Sequence, residues 1–154
     1  MAFLLILVIG CSRPAPGPYR LWEGKAWEGK ISLGDPAEQV TRLLGRPSRM
    51  LEDGERRYYE YGYAEVTVDS SSGKVASILL RGNWQTSAGA SAGDPVDKIL
   101  RLYGAVPYHP PVLAYPQRGI TFVLTPGEIA APEGSKGPGW IASWARIYWP
   151  SPRR

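Results

Sequence analysis

Side chains able to do chemistry are few. The 154 residues include one histidine and one cysteine, so a His/Cys metal centre and an intramolecular disulfide are both excluded. His109 stands in Tyr108-His109-Pro110-Pro111, a rigid loop with no acid nearby in sequence. A catalytic triad needs a nucleophile, a base and a group that orients the base, and the plain reading of His109 is a loop imidazole bonded to backbone or solvent. A small hydrolase that gathers distant residues around His109 is the enzyme alternative. Gly34-Asp35 and Gly93-Asp94 lack the glycines of a phosphate cradle and the alternating acids of a calcium loop; they read as helix starts. The expectation is a chain that is not an enzyme and needs no metal and no cofactor.

Cys11 has a different chemistry in prospect. Residues 2–9 (AFLLILVI) form an apolar run too short to span a bilayer, which takes about 20 helical residues, yet long enough for the core of an export signal. The run closes in Val8-Ile9-Gly10-Cys11. This resembles the lipobox of bacterial lipoproteins, in which a small residue precedes a cysteine that takes a diacylglyceryl group and becomes the first mature residue. The resemblance implies a signal peptide over 1–10 and lipidation at Cys11. Residues 1–10 hold neither Lys nor Arg, a departure from the usual signal. Residues 12–18 (SRPAPGP) then read as an extended tether rather than folded chain, so 11–20 is taken as lipidated cysteine plus tether. Ser12 is not the Asp associated with inner-membrane retention in some lipoproteins, which points to the periplasmic side of the outer membrane.

The formal charge of +4 is spread thinly over 18 basic and 14 acidic residues. A nucleic-acid binder needs a basic stripe to neutralise phosphates; here the Arg56-Arg57 and Arg153-Arg154 pairs stand alone, so no nucleic-acid partner is expected. Mild attraction to an anionic membrane surface would reinforce a lipid anchor. Eighteen Gly and fifteen Pro cut the chain into short elements, while nine Tyr and six Trp favour half-buried pleated surfaces.

Those elements are organised by a repeat. Residues 34–45 (GDPAEQVTRLLG) recur without a gap as 93–104 (GDPVDKILRLYG). In each copy Asp35 or Asp94 is the expected N-cap, and Pro36 or Pro95 the first helical residue. Glu38 or Asp97 favours the positive helix start, and Gly45 or Gly104 ends the helix in a left-handed turn. Val40, Leu43 and Leu44 make one apolar stripe, and Val96, Ile99, Leu100 and Tyr103 the other. Helices this short are marginal alone and must pack on something. After the first come period-two strands over 56–63 and 64–69, the turn Ser70-Ser71-Ser72-Gly73-Lys74, and a strand over 75–81. After the second come strands over 112–115, 119–124 and 143–149. The expected fold is α+β: two tandem units, 21–90 and 91–150, each a short helix followed by about three antiparallel strands, with the helices on one face of a shared sheet.

The pattern carried by Gly34, Val40, Leu43, Leu44, Gly45, Pro47, Tyr61, Val66, Val68, Gly73, Lys74, Val75 and Ile78 resembles the SmpA/OmlA (BamE-like) family of small outer-membrane lipoproteins. Doubled, it is similar to the tandem-repeat scaffold of the β-lactamase inhibitor proteins. The first branch implies an accessory role in β-barrel insertion, the second a sheet face that grips an enzyme. The duplication departs from the single-unit BamE pattern, and fold analogy alone carries no function.

Tyr and Trp are enriched at binding hot spots, and an antiparallel sheet can leave one face to water. Tyr58, Tyr59, Tyr61, Tyr63, Trp140, Trp144 and Trp149 are therefore the candidate partner-binding residues. One alternate face must fill the core, and parity alone leaves open which. The echo Trp22-Glu23-Gly24-Lys25, Trp27-Glu28-Gly29-Lys30 reads as an edge strand or turn packing one Trp inward, with an aromatic lip for a partner as the alternative. The functional expectation is a non-catalytic, membrane-anchored envelope lipoprotein acting as a protein-binding or scaffolding module. Recognition of peptidoglycan or another glycan is the alternative.

Overall fold

The computed structural model of the chain describes residues 18–28, 30–130 and 136–150. The expected signal peptide, Cys11 and all but the end of the expected tether lie outside the described residues. In chain order the elements are β1 (Tyr19–Trp22), β2 (Ala26–Trp27), β3 (Ile31–Ser32), α1 (Ala37–Leu44), β4 (Arg49–Asp53), β5 (Arg56–Tyr61), β6 (Ala64–Asp69) and β7 (Val75–Arg81). Then follow β8 (Trp84–Thr86), α2 (Val96–Tyr103), β9 (Val112–Tyr115), a 3-10 turn (Pro116–Arg118), β10 (Ile120–Ala130) and β11 (Lys136–Tyr148).

Both Gly-Asp-Pro starts open helices of eight residues, but the caps differ from the expected ones. Pro36 and Pro95 are extended, with ψ of 146° and 149°, and stand just before the first helical residue. Asp35 and Asp94 turn their carboxylates backwards instead: Oδ2 accepts the Ser32 amide at 2.8 Å and the Ser91 amide at 2.7 Å. The reason lies in the backbone. Gly34 N donates to Val75 O and Val75 N to Asp35 O, both at 2.8 Å; Gly93 N donates to Ala142 O at 2.8 Å and Ala142 N to Asp94 O at 2.9 Å. Each Gly-Asp is thus sewn to a strand at the centre of the sheet, which holds the carboxylate over the preceding turn. The helices end at Gly45 and Gly104, with φ of 81° and 95°. A tyrosine from the sheet closes each end, Tyr61 Oη donating to Gly45 O at 3.2 Å and Tyr115 Oη to Gly104 O at 2.9 Å.

The expected α+β pair of helix-plus-three-strand units is not what the chain forms. The fold is mostly β, in two sheets. One is a seven-stranded antiparallel sheet in the order β4-β5-β6-β7-β11-β10-β9, and the other a four-stranded sheet in the order β3-β2-β1-β8. Two features cause the departure. Asp53-Gly54 turns the chain, with Gly54 at φ 49°, so that 49–53 pairs with β5 as an additional strand. Residues 19–32 build a small sheet of their own, completed when β8 pairs parallel to β1.

The core joins one face of the large sheet (Tyr59, Tyr61, Val66, Ile78, Leu80, Phe122, Ile147) to Val40 and Ile99 of the helices and to Leu21, Trp27 and Trp84 of the small sheet. A bulge in the β10–β11 hairpin shapes its edge. Val123 faces Trp144 but Leu124 faces Ala142, so Ser143 is the extra residue. The one-residue slip reverses which side chains point inward. Trp84 fixes the bulge: its buried indole donates Nε1–H to Ser143 O at 3.0 Å.

Candidate functional site

Strand registers decide which side chains share the outer face of the seven-stranded sheet. Pairing of β5 with β6 sets Tyr58 opposite Thr67, and pairing of β6 with β7 sets Glu65 opposite Leu79. Pairing of β7 with β11 sets Leu79 opposite Arg146, Arg81 opposite Trp144 and Ser77 opposite Tyr148. The alternate residues of the same strands, Tyr59, Val66, Leu80, Ala145 and Ile147 among them, are buried in the core. Since side chains alternate faces along a strand, Tyr58, Glu65, Arg81, Trp144, Arg146 and Tyr148 lie together on the side away from it.

At the centre of this face Glu65 is the shared acceptor of two guanidinium groups. Arg146 Nη2 lies 2.9 Å from Oε1 and Arg81 Nη2 3.4 Å from Oε2. The Glu65 side chain is only 13% exposed, against 27% for Arg81 and 40% for Arg146. Arg81 also stands over the Trp144 ring, 5.1 Å from its centroid, a cation–π placement that orients the indole. Tyr148 is steadied by Thr121, 3.2 Å between hydroxyl oxygens. Half-exposed ion pairs add little stability. What the trio supplies is position: two cations on one anion, beside a tryptophan that is 40% exposed.

The aromatic residues singled out in the sequence divide among several places. Tyr58 and Trp144 share the outer face. Tyr59 and Tyr61 are core residues, 5% and 6% exposed, and Tyr61 uses its hydroxyl on Gly45. Trp140 packs against the core, because the Ser143 bulge puts it on the opposite side from Trp144. Tyr63, in the β5–β6 turn, stacks on Tyr19 at 5.1 Å and meets Trp27 edge-on at 5.8 Å. Trp149 lies beyond β11, exposed and beside Gly34. Cys11 is outside the described residues. Glu65, Arg81 and Arg146 were missed in the sequence; their signal is a shared parity with Trp144 and Tyr148, readable once the pairing is known.

Two other clusters have the ingredients of chemistry. Glu23, from the first half of the tryptophan echo, accepts hydrogen bonds from Ser87 Oγ, Tyr103 Oη and the Ala88 amide. Burial is the largest single influence on its carboxyl and acts upward. The bonds from Ser87, Tyr103, its own amide and Ala88 together outweigh it and hold the group below its ordinary 4.5. Burial first, and then the bond to Glu23, pushes the Tyr103 phenol well above its usual range. A carboxylate this well satisfied latches the β1–β2 turn to α2 and makes a poor base. Asp69 closes the Ser70–Lys74 turn through Ser71 Oγ, Ser72 N and Ser72 Oγ at 2.6–2.8 Å. These bonds lower its carboxyl to about 2. His109 is exposed, and among the described residues no hydrogen bond or ion pair joins its imidazole to an acid or a serine. Among the described residues no group of three His, Cys, Asp or Glu could hold a metal, and no helix is long and apolar enough to cross a membrane.

No protein-family model matches the chain, and no curated protein does. Among solved structures it is similar to an extracellular protein containing an SCP domain from Bacillus anthracis str. Ames, at 13% sequence identity and a TM-score of 0.47. The likeness covers 76% of this chain and 44% of that one, so the chain spans less than half the length of the protein it matches.

Proposed function

We propose that this chain is a lipid-anchored, non-catalytic module of the cell envelope that docks a protein partner on the outer face of its seven-stranded sheet. The supporting observation is that Tyr58, Trp144 and Tyr148 share one sheet face with the Arg81–Glu65–Arg146 trio, Trp144 directly beneath Arg81. Tyr, Trp and Arg are the residues that dominate protein interfaces, and here they occur together on a broad pleated surface. An anchor at Cys11 confines the domain to one membrane, and the tether gives it reach. Confinement raises the effective concentration at the partner, so modest affinity suffices.

A glycan ligand has one observation in its favour. A groove of about 320 Å³ runs beside Trp22, lined also by Glu28, Lys30, Asp35 and Gln39. Its second tryptophan, Trp27, is buried, so the groove offers a single stacking ring where the outer sheet face offers several aromatic contacts.

The test has two parts. Intact mass of the membrane-extracted protein, compared with the Cys11→Ser form, reads the anchor: a chain beginning at Cys11 with added lipid is expected, and an unmodified soluble chain overturns it. A photo-crosslinking amino acid placed singly at Tyr58, at Ser77 on the same face, or at Trp22 reads the face. One defined protein adduct, lost on Arg146→Ala, is expected; adducts at Trp22 alone, or none at either sheet position, overturn the proposed face.

A further inference from the structure

We infer that β4 is a self-complementary edge, built to pair antiparallel with β4 of a second copy of this chain. The strand ends the seven-stranded sheet and pairs on one side only, with β5. All five of its residues are exposed, Met50 by 62% and Leu51 by 38%. An unpaired edge is a template for another strand unless it is short, covered or bristling with charge. Here the order of the charges, Arg49-Met50-Leu51-Glu52-Asp53, decides what the edge accepts.

A two-fold axis at Leu51 sets Arg49 opposite Asp53 of the second copy, Met50 opposite Glu52, and Leu51 opposite itself. Within the chain's own sheet Arg49 already faces Glu60, Leu51 faces Tyr58, and Asp53 faces Arg56. Across the paired sheets one row therefore reads Arg56, Asp53, then Arg49 and Glu60 of the second copy. Its charges alternate, and the two-fold repeats the row. The middle row reads Tyr58, Leu51, then Leu51 and Tyr58 of the second copy, and is apolar throughout. Opposite charges directly across strands stabilise a pair and like charges destabilise it. Parallel pairing would bring Arg49 near Arg49 and Asp53 near Asp53. A shift by one residue would move Leu51 to the other face. The antiparallel register about Leu51 satisfies both charge and face. It also continues the outer face without a break from one copy into the next. This inference stands independently of the docking proposal.

The full chain carrying Cys11→Ser, in detergent, has no thiol, so an introduced cysteine reports alone. Opposed residues in an antiparallel pair have Cα atoms about 4.5–5.5 Å apart, within disulfide reach. Leu51→Cys is expected to form a disulfide-linked dimer under mild oxidation. Arg49→Cys and Asp53→Cys are expected to crosslink only when mixed. By sedimentation, Asp53→Arg should weaken the dimer about tenfold or more, and Arg49→Asp added to it should recover part of the affinity, the rest being lost to the like-charge pairs the swap makes with Arg56 and Glu60. A chain that stays monomeric at about 0.1 mM, a dimer indifferent to Asp53→Arg, or equal crosslinking at Arg49→Cys alone each overturns the inference. A dimer held by the apolar leader would show itself by that indifference.

Discussion

Glu23 shows how a residue with catalytic looks is consumed by structure. Its carboxylate gathers a serine hydroxyl, a phenol and two amides, and hydrogen bonds to a charged group are each worth about 1.5–3 kcal/mol when their partners are partly buried. Because the folded carboxyl lies below its ordinary value, its contribution is present above pH 4.5 and is lost as pH falls through the lower folded value. Glu23→Gln should cost about 1–2 kcal/mol at pH 7. Its thermal midpoint should fall less steeply than that of the parent on acidification below about pH 5; parallel profiles would show that the latch does not titrate. The partner of this turn is Gly119, with φ of 62°, where an added Cβ would lie 2.7 Å from Gly24 Cα and closer still to Tyr148 O. Gly119→Ala should therefore cost about 3 kcal/mol or more. Gly54→Ala, at φ 49° with open space around it, should cost only about 1 kcal/mol. Equal losses in urea titration would mean that crowding at Gly119 is relieved by a shift of the turn. The close approach of Gly24 to Gly119 explains half of the tryptophan echo without any partner; Trp27 in the core explains much of the rest.

At the scale of elements, the β10–β11 bulge decides more than any single side chain. It puts Trp144 outside and Ala142 inside on the same strand, and it depends on Trp84, whose indole holds the Ser143 carbonyl from a site 1% exposed. Trp84→Phe removes that donor and part of a packed ring, so a loss of about 2–4 kcal/mol is expected. Trp144 fluorescence should change with it as the bulge loosens; destabilisation without a change at Trp144 would separate packing from the bulge. This is also where the sequence was legible and where it was not. The Gly-Asp-Pro repeats mark both helices, because a proline at the start and a glycine at the end are local signals; the direction of the Asp35 and Asp94 carboxylates, set by distant strands, could not be read. Alternation marks β5 and β6 and the turn between β6 and β7, because a strand with one buried face writes its period in residue type. A bulge leaves no such trace, so the parity of Trp140 against Trp144 could not be read. The two-residue strands β2 and β3 are too short to show any period. For β4 a signal existed in Asp53-Gly54, a hairpin dipeptide. Its residues are all exposed and carry no alternation. Tyr59 and Tyr61 looked like contact residues because composition cannot separate a phenol facing a partner from one facing a helix end.

The whole molecule separates its stability from its outer face. Burial is concentrated on the side where the helices and the small sheet meet the large one, while the face bearing Trp144 lies outside that packing. Truncating an exposed outer residue should therefore leave the fold nearly unchanged, unlike truncating Thr67 or Leu79, which lie on the same face but are 2% and 3% exposed. Trp144→Ala forfeits the Arg81 contact, worth about 0.5–1 kcal/mol at an exposed site, and a loss of stability below about 1 kcal/mol is expected. The same change should be severe for docking. A central tryptophan at an interface commonly carries about 2 kcal/mol or more, so the Kd for the crosslinked partner should rise about thirtyfold. Arg146→Ala should leave Glu65 shared by Arg81 alone, removing the local excess of positive charge, and should flatten the salt dependence of binding as well as weaken it. Trp149→Ala supplies the comparison: it removes a more exposed indole, 59% against 40%, from beyond the end of the sheet. Binding measured by titration calorimetry should be insensitive to Trp149 and sensitive to Trp144. The reverse order would move the docking surface to the Gly34–Lys74 side of the molecule, where Trp149 overhangs the first helix start.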